Sequence, residues 1–149
     1  MKNLFEKEAY NEVIKRLDNL QATAQREWGK MNVGQMLAHC SATFEVSTGK
    51  HSPPRVFIGR VLGPLLKKSY VSEKQFEKNG PTYKGFVIGD ERNFNFEKDK
   101  LHAFITEFHE GGEAKCTTAP HAFFGHLSKS EWAIVMYKHL DHHFRQFGA

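Results

Sequence analysis

Three of the nine histidines fall within five residues near the C-terminus, in Tyr137-Lys138-His139-Leu140-Asp141-His142-His143-Phe144-Arg145-Gln146-Phe147. On a helix of 3.6 residues per turn, His139 and His143 stand one turn apart on the same face. Two imidazoles so placed can close on one metal ion, as paired helical histidines do in zinc sites. At about 100° per residue, Trp132, Val135, Met136, Leu140 and Phe147 cluster on one side of this helix, and His139 and His143 fall within that cluster. Lys138, Asp141 and Arg145 lie opposite. His142 sits at the boundary and reads as a rim residue or as a hydrogen-bond donor behind the ligands. A single inward histidine is ordinarily a hydrogen-bonded core residue. Two at i and i+4 in an apolar setting have more ring nitrogens than that face can satisfy, and one divalent cation occupies both acceptors at once.

A stable site wants at least one more ligand, commonly three protein groups with positions left open for water or substrate. His39, in the middle of a predicted helix and on its inward arc, is the best candidate. Glu45 lies on a polar strip and is less well aimed. His51, His102, His109 and His126 are expected in loops or on exposed faces, and His121, in Pro120-His121-Ala122-Phe123-Phe124, is placed to line a pocket mouth. Other chemistries lack their residues: there is no Gly-rich phosphate loop, no Gly-x-Ser-x-Gly, no His-Glu-x-x-His and no Glu-x-x-His. Cys40 points roughly 100° away from its neighbour His39 and reads as a small buried hydrophobe rather than a nucleophile.

The elements that must carry these residues are helices. Leu4, Phe5, Ala9, Tyr10, Val13, Ile14, Leu17 and Leu20 recur at steps of three and four, which predicts an amphipathic first helix. Trp28-Gly29 reads as a bulky anchor followed by a turn. Asn32 with Gln35 forms a capping box that opens a second helix, ending near Thr48 before Gly49 and carrying Gly34, Ser41, Glu45 and Thr48 as a polar strip. Asn95 is expected to cap a third helix through Leu101, Phe104, Ile105 and Phe108, stopped by Gly111-Gly112. Ser128 with Glu131 caps the fourth, which runs to about Phe147. Between the second and third helices, Ser52 to Asn95 reads as a long irregular crossover, and a connection of that length usually has a task such as covering a site. Within it, Arg55 to Tyr70 is amphipathic. Gly59 and Gly63-Pro64 spoil its continuity, so it reads as a short broken helix lying over the bundle rather than a helix on a membrane surface. The expectation is an all-α, single-domain four-helix bundle over residues 1–149.

Composition bounds the partners. The net charge is +4 and 26% of residues are charged, but the basic residues are scattered and form no run of the kind that binds nucleic acid. Two cysteines make no disulfide framework. The N-terminus turns charged at once, unlike a signal peptide, and no window approaches the ~20 apolar residues of a membrane span. A cytoplasmic protein acting on a small-molecule substrate, with neither nucleic acid nor membrane as partner, is expected.

The segment Trp28-Gly29-Lys30-Met31-Asn32-Val33-Gly34-Gln35-Met36-Leu37-Ala38-His39, together with His139-Leu140-Asp141-His142-His143-Phe144-Arg145-Gln146-Phe147-Gly148, resembles the DinB-like superfamily. More closely, these residues and Phe124-Gly125-His126-Leu127 through Glu131-Trp132 resemble its DUF1569-type branch of unknown function. The resemblance implies a four-helix bundle holding a divalent metal, zinc or nickel foremost, through one histidine of the second helix and two of the last. Here those are His39, His139 and His143. It also implies a thiol S-transferase-like activity in which a low-molecular-weight thiol cosubstrate attacks an electrophilic small molecule, and pairing as a homodimer. A metal-dependent hydrolase, or a bundle that binds metal or ligand without turnover, are the other readings; the hydrolase lacks an evident inward carboxylate to act as base.

Overall fold

The computed structural model describes residues 1–149 and contains five α-helices and no strand: α1 (Lys7–Asn19), α2 (Val33–Ser47), α3 (Phe57–Tyr70), α4 (Phe94–Lys115) and α5 (Lys129–Gln146). A single 3₁₀ turn, Lys84–Phe86, lies between α3 and α4. The expected bundle is formed by α1, α2, α4 and α5. Their apolar stripes meet in one core, with Val13 and Leu17 from α1, Met36, Leu37 and Phe44 from α2, Leu101, Ile105 and Phe108 from α4, and Met136, Leu140 and Phe144 from α5, all essentially inaccessible to water. Burying a side chain of this size contributes roughly 1.5–3 kcal/mol, so this stripe matching outweighs any helix propensity.

Local chemistry sets two of the helix starts as the sequence implies. The Asn32 side chain accepts from the Gln35 backbone N–H while the Gln35 side chain accepts from the Asn32 N–H, both at 2.9 Å. Ser128 and Glu131 exchange the same pair of bonds. The third predicted helix starts earlier than expected. Asn93, not Asn95, caps it by accepting from the Phe96 N–H at 3.0 Å, because Phe94 then packs against the core. Gly112 does break this helix, at φ 53° and ψ −148°, and a last turn carries it on to Lys115.

The crossover departs most from expectation. Arg55 to Tyr70 does not break: α3 runs through Pro64 as one helix of 14 residues. Its glycines serve an approach rather than a break. A Cβ on Gly59 would lie 2.6 Å from the Phe123 carbonyl oxygen, and one on Gly63 closer still. Only bare backbone lets α3 sit on the 123–124 chain. Lys67 fastens the far end, with its Nζ 2.8 Å from Glu131 Oε2 and donating to the His126 carbonyl. The polar strip expected on α2 is also partly dry. Gly34 lies under the Arg92 backbone, and the buried Ser41 hydroxyl is satisfied by the Leu37 carbonyl. No helix is long and apolar enough to cross a membrane.

Candidate metal centre

The phase set by the two capping boxes turns His39 of α2 and His139 and His143 of α5 toward one another. Their ring centroids are separated by 5.0 Å (His39–His139), 4.8 Å (His39–His143) and 4.6 Å (His139–His143). One nitrogen from each lies within 4.8 Å of the others. His39 and His143 are buried, while His139 keeps partial access to solvent.

The outer nitrogens of all three rings are spoken for. His39 Nδ1 lies 2.9 Å from the Phe86 carbonyl oxygen, an acceptor only, so this nitrogen carries the proton. His143 Nδ1 lies 2.8 Å from Gln146 Oε1; the Gln146 amide is oriented by its own NH₂ donating to the Trp28 carbonyl at 2.7 Å. The Thr43 hydroxyl donates to the Cys40 carbonyl at 2.7 Å and so meets His139 Nδ1, at 3.4 Å, as an acceptor. Each Nδ1 therefore bears hydrogen, and each Nε2 presents a lone pair. His39 Nε2 and His139 Nε2 are 3.0 Å apart, and two lone pairs facing at that distance call for a shared proton or a cation between them. Outer hydrogen bonds of this kind hold metal-ligating histidines in the right tautomer. Burial lowers the pKa of His39, of His139 (with the neighbouring imidazoles adding to the effect) and of His143, the last to about 3. All three are neutral near pH 7, the form that coordinates metal.

Trp28-Gly29 belongs to this centre. The Trp28 carbonyl holds Gln146, and Gly29, at φ +81°, leaves 2.6 Å between a would-be Cβ and Gln146 Nε2. A side chain there would be strained and would displace the amide.

The remaining residues fall out differently from expectation. His142 is not at the rim. It is buried edge-on to Trp28, with Phe76 beside it and its Nδ1 without a partner. Lys138, expected on the outer face, is buried too. Its Nζ donates to the Tyr70 and Ser72 carbonyls at 2.6 and 2.7 Å and lies 4.5 Å from the centre of the Phe76 ring, and burial lowers its pKa to about 8. The chain after α3 folds over that side of α5 and dries it. His109 lies on α4, with its Nδ1–H donating to the Leu4 carbonyl at 2.9 Å and its ring stacked on Tyr10. Two surface depressions, of about 500 Å³ along α4 and about 230 Å³ beside Arg26 and Arg92, are not lined by the trio. The groups sequence reasoning missed are Thr43, Gln146 and the Phe86 carbonyl. Thr43 lies at i+4 from His39 and Gln146 at i+3 from His143, so spacing could have found those two.

His121, placed by its sequence to line a pocket mouth, is partly exposed and builds the loop under α3. Its Nδ1 accepts the backbone N–H groups of Phe123 and Phe124 at 3.1 and 3.2 Å, and its ring lies against Phe124, Trp132 and Tyr70. Burial, reinforced by the nearby Arg55 charge, lowers its pKa to about 4. Between pH 4 and 6.5 the unfolded chain binds more protons at this position than the folded one, so the stability it contributes is full above about 6.5 and is lost as pH falls toward 4. His121→Asn keeps an acceptor near Nδ1 and removes the titration. Its melting temperature should fall less steeply than that of the wild type over this range; equal slopes would refute the assignment.

No curated protein matches the chain, and no solved structure does. A family profile matches residues 2–149, almost the whole sequence. On that match the chain belongs to the family described as protein of unknown function (DUF1569).

Proposed function

We propose that this protein binds one divalent transition-metal ion, zinc or nickel, through Nε2 of His39, His139 and His143, and uses the site to join a low-molecular-weight thiol to a small electrophilic molecule. The observation that carries the metal reading is that one ring nitrogen from each of His39, His139 and His143 lies within 4.8 Å of the others, while each Nδ1 has an acceptor behind it. A divalent ion held there supplies a positive charge that lowers the pKa of a thiol close to it.

The chain's own residues favour a nucleophile that arrives with the substrate. The hydrogen-bond partners of the three rings are a carbonyl, a hydroxyl and an amide, with no carboxylate among them to deprotonate water. Cys40 is buried, and desolvation pushes its thiol above the ordinary range, so it is not the attacking sulfur. A thiol cosubstrate needs neither: its sulfur forms the new bond to carbon, its proton goes to solvent, and the displaced group leaves with its electron pair. His139, the one partly exposed member of the trio, would be the first of the three to meet such molecules. The likeness of the His39 and His139–Gly148 segments to DinB-like proteins supports the thiol class.

The test is a transfer assay with protein loaded with zinc or with nickel, a small thiol such as cysteine, and a chromogenic aryl halide. The expected result is a rate above the uncatalysed reaction that a chelator removes and the metal restores, and that His143→Ala lacks. Stoichiometric metal without any such rate would retain the site and overturn the transferase reading.

A further inference from the structure

Six large apolar residues of α3 stand in solvent: Phe57, Ile58, Val61, Leu62, Leu65 and Leu66, with Phe57 81%, Val61 62% and Leu65 76% exposed. At about 100° per residue they occupy one continuous half of the helix, and Gly59, Gly63 and Pro64 all fall outside it. The opposite side is held, by Gly59 and Gly63 against the 123–124 backbone and by Lys67 against Glu131. Together the six expose on the order of 600 Å² of apolar surface, at the upper end of the largest patch on a typical monomer. Charge accompanies the patch. From His51 to Ser72 there is no Asp or Glu, and there are four cations, Arg55, Arg60, Lys67 and Lys68. Lys67 is paired with Glu131, but Arg60 and Lys68 are exposed and form no ion pair. Lys68 falls within the apolar half, at its C-terminal end, and Arg60 about 60° beyond its edge.

We propose that this face lies in the surface of an anionic lipid bilayer, its six apolar side chains among the acyl chains and Arg60 and Lys68 reaching the phosphate headgroups. Three features select that occupant. The first is pattern. An interfacial helix carries a broad apolar face rich in residues such as Phe and Leu, with basic residues beside it, and α3 has both. In a free peptide the opposite face meets water; here the body of the protein takes its place. The second is charge. Two unpaired cations in a stretch without acids fit phosphate groups, and their apolar stems can lie along the patch while the charged heads stay at headgroup level. A second copy of the chain would bring the same cations and no anion. The third is shape. Phe57 and Leu65 stand clear of their neighbours, and no α3 residue lines either of the surface depressions described above. The face is a ridge. Acyl chains deform around a ridge, whereas a protein partner must supply a groove that fits it. No helix is long and apolar enough to cross a membrane; α3 needs only to lie on one.

Flotation of the full chain through a density gradient with mixed phosphatidylglycerol and phosphatidylcholine vesicles tests this. Two variants run beside it: V61E/L65E, whose replaced side chains touch little in the folded chain, and R60Q/K68Q. The wild type should float with the mixed vesicles and stay at the bottom with phosphatidylcholine alone. V61E/L65E should stay at the bottom with both, its circular dichroism and melting temperature unchanged. R60Q/K68Q should partition on the order of 30-fold less well, the loss expected for two basic residues at an anionic surface. Leu65→Cys carrying an environment-sensitive fluorophore should shift its emission to the blue on adding the mixed vesicles, while the buried Cys40 and Cys116 take no label. A wild type that does not float overturns the proposal, as does flotation that V61E/L65E or R60Q/K68Q leaves intact, or that phosphatidylcholine alone supports equally. An oligomer in sedimentation velocity that V61E/L65E dissociates, without flotation, would assign the face to a protein partner instead.

Discussion

Replacing His139 with alanine is expected to abolish stoichiometric binding of zinc or nickel while leaving the bundle folded. Of the three histidines, His139 is the one whose loss strands least. Thr43, its partner, keeps its hydroxyl bonded to the Cys40 carbonyl. Removing His39 would instead leave the Phe86 carbonyl without its donor, and removing His143 would free the Gln146 amide oxygen. Truncation at 139 also relieves the 3.0 Å approach of two Nε2 atoms, so the metal-free variant should melt within a few degrees of the metal-free wild type. The contrast appears on adding metal. A ligand present at 100 times its dissociation constant stabilises the folded state by about 2.7 kcal/mol. For a chain of this length that raises the melting temperature by roughly 5–10 °C. The wild type should show that rise and His139→Ala should not. Equal metal content in the two purified proteins, measured by elemental analysis, would remove the site from consideration.

The second large effect is expected from a residue that would touch no metal. Gln146→Leu deletes the acceptor that holds the proton on His143 Nδ1 and frees the Trp28 carbonyl, yet it keeps much of the side chain's volume. Without that acceptor, His143 is free to turn or to change tautomer, so Nε2 presents its lone pair for only part of the time. Loss of such an orienting partner typically costs 10–100-fold in metal affinity. A competition titration against a chromophoric chelator should show a loss in that range, with circular dichroism unchanged. Gln146→Glu keeps an acceptor and adds negative charge behind the ring, but its second oxygen faces the Trp28 carbonyl where the amide N–H donated, so it should bind more tightly than Gln146→Leu. Wild-type affinity in Gln146→Leu would show that the hydrogen bond to Gln146 does not position the ligand.

Much of the fold and the centre was legible because the relevant interactions are local. The capping boxes at Asn32 and Ser128 lie within four residues, and they set the phase of α2 and α5. Given that phase, the i, i+4 pair His139 and His143 follows from helix geometry, and the inward arc of α2 selects His39. The errors share a cause as well. Lys138 looked exposed, and His142 a boundary residue, because a helical wheel registers only its own helix, whereas the chain near Tyr70, Ser72 and Phe76, dozens of residues away, covers them. Asn95 is the cap the chain suggests, yet Asn93 takes that place, with Phe94 packed against the core. Gly59 and Gly63 were read as breaks, although glycine within a helix also serves close backbone approach, and the approaching strand of chain is remote in sequence.

By itself, then, the sequence determined the helical class, the four bundle helices and the identity of the three histidines, because helix periodicity and capping act over one or two turns. Only the tertiary structure decided that all three Nδ1 atoms are occupied and that one nitrogen of each ring lies within 4.8 Å of the others. The Phe86 carbonyl reaches His39 across 47 positions, and His39 reaches His139 across 100. Bonds over such separations depend on how whole helices pack, which no local pattern of residues encodes. The same holds for α3. Its apolar periodicity is visible in the chain, but that this face points outward follows from the glycine side being held against Phe123 and Phe124.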